Sequence, residues 1–191
     1  MRLYLAGPDV FLPRAAEIGA RKRAICAQHG IEGLFPLDVE LEAEGAAEPI
    51  YRGNLALMES ADGGVFNLTP FRGASADVGT AFELGFLAAR GKLIFGYTSD
   101  PSPYRERVHA QFGPLVPGRE AWRDRNGHAV ENFGLPDNLM IAVSIAEASF
   151  GIHAIAEEGP DALAALRAFE SCVAQIAARV VRRHSQERAH V

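Results

Sequence analysis

Apolar residues fall along this chain in two rhythms: short unbroken runs, and longer stretches with an apolar position every third or fourth residue. Residues 2–6 (RLYLA) form a run of the first kind and predict a buried strand ending at the Gly7-Pro8 turn. Residues 13–28 follow the second rhythm through Ala15, Ile18 and Ile25, with Pro13 in the first turn and His29-Gly30 as the stop, and predict a helix. A short strand over 33–36, a helix over 50–61 with Ile50, Leu55 and Met58 on its apolar face, and a strand over 64–68 halted by Thr69-Pro70 come next. A helix then opens at Asp77-Val78-Gly79-Thr80, and LIFGY (93–97) reads as a further buried strand. Strand and helix alternate throughout, which implies a parallel sheet with right-handed crossovers.

Residues 101–133 break the rhythm. They hold Pro101, Pro103, Pro114 and Pro117 and a polar run, WRDRNGHAVEN, with no sustained period, and predict an irregular loop insert. Periodicity resumes with a helix over 136–149, a short strand over 151–155 and a long amphipathic helix over 159–185 carrying Leu163, Leu166, Phe169, Val173, Ile176 and Val180. No repeat or linker divides the chain. The expected fold is α/β: one domain over 1–191, a flavodoxin- or Rossmann-like three-layer sandwich around a five-stranded parallel sheet of order 2-1-3-4-5, with a long C-terminal helix.

Composition narrows the function classes. Across 191 residues, 48% hydrophobic and 23% charged content is that of a globular domain rather than a disordered chain. A net charge of −5 and a pI near 5.7 argue against a nucleic-acid polymer as partner. Cys26 and Cys172 both fall in helical patterns without metal or CxxC spacing, and read as buried thiols of a reducing compartment. No run approaches a membrane span and residues 1–7 are too short for a signal peptide, so the expected location is the cytoplasm. The chain has no GxGxxG, no GxxxxGK[ST] and no GxSxG, and its six histidines show no ligand spacing. No cofactor and no metal are expected.

Carboxylate chemistry remains. Asp38 follows the second strand, and Asp77 and Glu83 follow the third, all on one edge of a parallel sheet where such folds bind ligands. Six helical residues rotate by about 240°, so Asp77 and Glu83 share a site only if Asp77 lies at or before the N-cap, a position Asp favours. The macrodipole of the helix start is expected to hold Glu83 ionised, as a nucleophile requires. Tyr4, in the neighbouring first strand, is placed to orient Glu83 by one hydrogen bond. The same residues also read as a capping Asp, a surface Glu and a core aromatic.

The segments LYLAGPDVF (3–11), FPLD (35–38), NLTPFRGASADVGTAFELG (67–85), YTSD (97–100) with Tyr104-Arg105-Glu106, and FGLPDNLM (133–140) occur in an order that resembles the nucleoside 2-deoxyribosyltransferases, particularly a longer branch found in some protists and bacteria. They span about three quarters of the chain, and PFRG-x3-D-x-GTAFE-x-G is specific. The resemblance implies a retaining transfer of 2-deoxyribose between a 2′-deoxyribonucleoside and a free purine or pyrimidine base. Glu83 is then the nucleophile, Tyr4 its orienting residue and Asp77 the carboxylate beside the sugar. Gly7, Phe11, Asp38, Asn54, Phe71, Arg72 and Gly79 form the pocket with the 40–50 loop, and Asn138 reaches into a neighbouring subunit's site. A homo-oligomer follows.

Two departures stand out. Shorter members carry an Asp where this chain has Asn54, which delivers no acid proton, so Asp77, Asp38, solvent or an already protonated base must serve. Short members also place a terminal tyrosine carboxylate in the site, whereas this sequence runs on into its long helix. Hydrolysis of the same bond by an N-glycosidase using Glu83 is the alternative enzyme. A non-catalytic nucleotide-binding sensor would keep the pocket but has no need of Tyr4, Asp77 and Glu83 together. Asp77 would repel a 5′-phosphate, which favours free nucleosides.

Overall fold

A computed structural model describes residues 1–36 and 47–188, and side chains as far as residue 181. In chain order it contains β1 (Arg2–Ala6), α1 (Ala15–Gln28), β2 (Glu32–Leu34), α2 (Ala47–Ser60), β3 (Gly63–Asn67), α3 (Val78–Ala89), β4 (Leu93–Thr98) and α4 (Tyr104–Phe112). There follow β5 (Val116–Pro117), β6 (Trp122–Arg123), β7 (Ala129–Val130), α5 (Leu139–Ala148), β8 (Ile152–Ala154) and α6 (Leu166–Arg188).

Five parallel strands form the central sheet in the order β2-β1-β3-β4-β8, the order expected from the sequence. Side chains alternate across it because successive strand residues face opposite sides. Leu3, Leu5, Val65, Phe95 and Tyr97 enter one core with Cys26 of α1 and Phe169, Cys172, Val173 and Ile176 of α6. Tyr4, Ala6, Phe66 and Ile94 enter the other with Met58 of α2, Leu84 and Leu87 of α3, and Ile145 of α5. The three layers follow from that alternation. Gly64 stands opposite Tyr4 in register, and a Cβ there would lie 2.7 Å from Leu87 Cδ1, so its lack of a side chain lets α3 sit close to the sheet.

The turn after β1 is anchored from beneath. A 3₁₀ turn over Pro8–Phe11 precedes α1, and its Asp9 is buried against Lys22, itself fully enclosed. Lys22 donates to Asp9 Oδ2 (2.7 Å) and to the Tyr97 hydroxyl (2.6 Å), while Asn67 Nδ2 donates to Asp9 Oδ1 (3.0 Å). Burial pushes the Lys22 pKa down, against the pull of Asp9. A Cβ on Gly7 would fall 2.4 Å from Asp9 Oδ1 and 2.5 Å from Asn67 Cβ, so this close approach to the Asp9 and Asn67 side chains requires glycine.

Two segments differ from the sequence expectation. Residues 101–133 are not irregular: they contain α4 and an antiparallel sheet β5-β6-β7. Helix α4 buries only Arg107, held by polar contacts, and Val108, which packs with Tyr104, Ala74, Val130, Leu115 and Trp122. The apolar pair Tyr104 and Val108 is too short to show a helical period, and strands of two residues are too short to show alternation. The last helix starts at Leu166, not near 159, because Ala165 adopts a left-handed φ of 48° after a 3₁₀ turn. Glu157 Oε1 then caps it by accepting from the Arg167 and Ala168 amides (both 3.0 Å). Among the described residues, no helix is long and apolar enough to cross a membrane.

Candidate active site

The sheet order reverses between β1 and β3, and the crevice beyond their carboxyl ends holds a cleft of about 340 Å³. Gly7, Val10 and Phe11 from the turn after β1, Pro36 after β2, Ile50 and Asn54 of α2, and Asp77, Gly79, Thr80 and Glu83 at the start of α3 line it. Concavities of about 440 and 500 Å³ lie on the 101–133 segment, so volume does not single out the site. The cleft is singled out because it gathers Asp77 and Glu83.

Asp77 is the N-cap of α3, with φ −58° and ψ 138°, off the helical path. Its Oδ2 accepts from the Thr80 amide (3.0 Å) and the Thr80 hydroxyl (3.2 Å). That extended step brings a carboxylate six positions before Glu83 onto the same cleft, the geometry the sequence required. Glu83 accepts a 2.6 Å hydrogen bond from the Tyr4 hydroxyl at Oε1. Tyr4 is completely buried, so it serves the core and the cleft at once.

The macrodipole does not decide the charge state of Glu83. Burial pushes its carboxyl up to about 7; the Tyr4 hydrogen bond opposes the shift and the nearby Asp77 charge adds to it. Six positions into the helix, Glu83 is past the first turn where the dipole acts. Burial, and secondarily Glu83, push the Tyr4 phenol far above its ordinary range, so it remains a hydrogen donor.

A stability prediction follows from the raised carboxyl. The folded protein binds the Glu83 proton more tightly than the unfolded chain, so stability is complete below about pH 4.5 and falls as pH rises toward about 7, by on the order of 3 kcal/mol. Glu83→Gln removes the buried charge and keeps the acceptor for Tyr4. Its Tm is expected to exceed that of the parent by about 5 °C or more near pH 8 and to match it near pH 4.5. A gap in thermal melts that did not close on acidification would contradict the assignment.

Around the cleft mouth, Phe11 stacks on Phe71 at a 5.2 Å centroid distance and 3° interplanar angle, and the Arg72 guanidinium lies 5.3 and 4.7 Å from the two rings. Arg72 has φ 55°, an unusual conformation for a side-chain-bearing residue. Thus Phe71 and Arg72 approach the cleft through Phe11 rather than lining it. Asn54 lines the cleft, and its Oδ1 is buried with no hydrogen-bond partner among the described residues. Asp38 and the loop through residue 46 lie outside the described residues. Asn138 does not line the cleft of its own chain: it caps α5, its Oδ1 accepting from the Met140 amide (3.0 Å) and its Nδ2 donating to Glu131 (2.8 Å).

Sequence reasoning missed Thr80, Val10 and Pro36 as lining residues, and reached Ile50 only as part of the 40–50 stretch. Ile50 was available from spacing, since Ile50, Asn54 and Met58 form one i, i+4 line on α2. Burial pushes the thiols of Cys26 and Cys172 up to about 12, which leaves them poor nucleophiles.

Compared with known proteins, residues 3–140 match the nucleoside 2-deoxyribosyltransferase family. An uncharacterized protein of Schizosaccharomyces pombe is 40% identical over 129 residues, 64% of this chain and 58% of its own length. A solved 2-desoxiribosyltransferase from Leishmania mexicana superposes with a TM-score of 0.63 at 29% identity, covering 92% of this chain and 96% of the other. A conserved protein from Enterococcus faecalis V583 shares the fold, with a TM-score of 0.55 at 15% identity over 92% and 98% of the two chains.

Proposed function

Because the chain belongs to the nucleoside 2-deoxyribosyltransferase family, we propose that it moves 2-deoxyribose between nucleobases by a double displacement at Glu83. The observation that carries this reading is the Tyr4–Glu83 hydrogen bond inside the cleft, with Asp77 beside it. Tyr4 engages Oε1, and we assign Oε2 the attack on C1′ of a 2′-deoxynucleoside. The C1′–N bond breaks as the C1′–O bond forms, and its electron pair leaves with the base. A second base then attacks C1′ from the vacated face, releasing the carboxylate with net retention.

Asp77 is the residue we assign to the sugar. Thr80 occupies Oδ2, which leaves Oδ1 to accept from a sugar hydroxyl. Its negative charge disfavours a 5′-phosphate in the same place and supports free nucleosides as substrates. Asn54 is a neutral amide and delivers no acid proton, so the leaving base takes its proton from water, from Asp77 or from Asp38, or carries it already. Phe11 is the aromatic wall for the base, stacked from behind by Phe71.

A second copy of the chain completes this reading. Val78 and Phe82 on α3, and Met140 and Val143 on α5, are 85%, 53%, 69% and 41% exposed. Two adjacent helices showing apolar side chains suit a homo-oligomer contact, and Asn138 at the start of α5 lies beside it to serve the neighbour's sugar.

Incubation with deoxyinosine, with and without adenine, tests the proposal. Formation of deoxyadenosine is the expected result, with ping-pong kinetics. Hypoxanthine release indifferent to adenine would replace transfer by hydrolysis, and no turnover would leave a binding protein.

A further inference from the structure

A second buried polar cluster, outside the cleft, joins three loops. Arg107 of α4 is 7% exposed and Asp137 is 1% exposed. The guanidinium donates from Nε to the Ala74 carbonyl (2.8 Å), from Nη1 to the Ser102 carbonyl (3.0 Å) and from Nη2 to the Pro136 carbonyl, with Asp137 Oδ2 at 3.5 Å. Asp137 in turn accepts from the Ser75 hydroxyl, the Ala76 amide (3.0 Å) and the Asn138 amide (2.7 Å). One ion pair thereby satisfies three carbonyls and three donors drawn from residues 74–76, 102 and 136–138.

We propose that Arg107 and Asp137 are positioning residues of the reaction site, clamping the 74–76 backbone that delivers Asp77 to the 136–138 backbone that delivers Asn138. This goes beyond the proposed transfer and rests on it for the roles of Asp77 and Asn138. Stability alone is a poor reason for such a pair, since a buried ion pair replaced by apolar groups of similar volume often costs nothing. A planar fork that reaches carbonyls on three loops at once does what a lysine or an apolar plug does not: it fixes their relative positions. The strap before Asp77 needs outside support. Between Thr69 and Asp77 it forms no helix or strand, it turns through the left-handed Arg72, and its own backbone supplies the Phe71 amide to Ser75 carbonyl bond (3.1 Å). The residues clamped are the immediate neighbours of Asp77 and Asn138, so a slip of the clamp moves both.

The test compares Arg107→Met and Arg107→Lys with the parent and with Lys92→Met. Lys92 donates to the Met58, Glu59 and Ala61 carbonyls at the end of α2 and is not part of the cleft, so its variant is a control for lost stability. Amide hydrogen exchange is read first and needs no activity. In the Arg107 variants, faster exchange is expected in peptides covering 70–78 and 134–140 together, with β1 to β3 unchanged. Acceleration confined to α4, or spread evenly over the chain, would overturn the clamp. Turnover of deoxyinosine with adenine is read second. Misplacement of positioned groups predicts a fall in kcat/KM of about 10- to 100-fold for Arg107→Met, while Lys92→Met at a similar loss of Tm stays within about twofold. An Arg107 variant with looser segments and parental kcat/KM would refute the positioning role. Should Arg107→Met fail to fold, Arg107→Lys keeps the charge, loses the fork and carries the same expectations. A parent chain that does not turn over would sink the transferase reading, and the exchange data would then decide the clamp alone.

Discussion

Replacing Glu83 by alanine is expected to lower kcat/KM for deoxyribose transfer on the order of 10⁴-fold or more, as loss of a covalent nucleophile does elsewhere. Among the described residues, the cleft offers no second candidate for the attack. Asp77 is committed through Oδ2 to the cap of α3, and Asn54 is an amide. Glu83→Gln, which keeps the acceptor for Tyr4, is expected to share this loss and to fold at least as well as the parent near neutral pH and above, because the charge removed is a buried carboxylate whose ionisation opposes folding. Loss of activity with a raised Tm is therefore the signature of a nucleophile rather than of a damaged core. Mass spectrometry of the parent caught with a slowly turning-over deoxynucleoside should show a deoxyribosyl adduct, absent from Glu83→Ala. Full activity in the variant would remove Glu83 from the mechanism.

The main sheet was legible because its strands are short, apolar and punctuated by Gly7-Pro8, Thr69-Pro70 and the turn after Thr98, signals that act within a few residues. The N-cap role of Asp77 was legible for the same reason: capping is a local property of residue type. Pairing Tyr4 with Glu83 needed only the strand order, which puts β1 beside β3 and points Tyr4 toward the α3 layer. What stayed hidden depends on contacts between distant residues. The charge state of Glu83 is set by enclosure, and a helix-dipole argument along the chain misjudges it. Arg107 and Asp137 are separated by 30 positions and lie on no periodic stripe, so neither spacing nor composition links them. Helix α4 is hidden in the sequence because the same pair and a single short apolar contact through Tyr104 and Val108, rather than a sustained apolar stripe, hold it in place.

Tyr4→Phe is expected to cost about 10- to 100-fold in kcat/KM near neutral pH, the range for loss of a hydrogen bond to a charged group. The direction of the pH dependence distinguishes this from a packing defect. In the parent, the acidic limb of kcat/KM reports ionisation of free Glu83 and is expected at about pH 7. The Tyr4 hydroxyl lowers that value by stabilising the carboxylate, so its removal moves the limb upward, and activity recovers in part at more alkaline pH. Asp77→Asn acts in the opposite sense: with the neighbouring negative charge gone, Glu83 ionises more easily and the limb moves down, even as sugar binding weakens and KM rises. Two variants in one cleft thus displace one titration in opposite directions, which a general loosening of the fold does not do. A limb that stayed in place in both, or moved the same way, would mean that the titrating group is not Glu83 held between Tyr4 and Asp77.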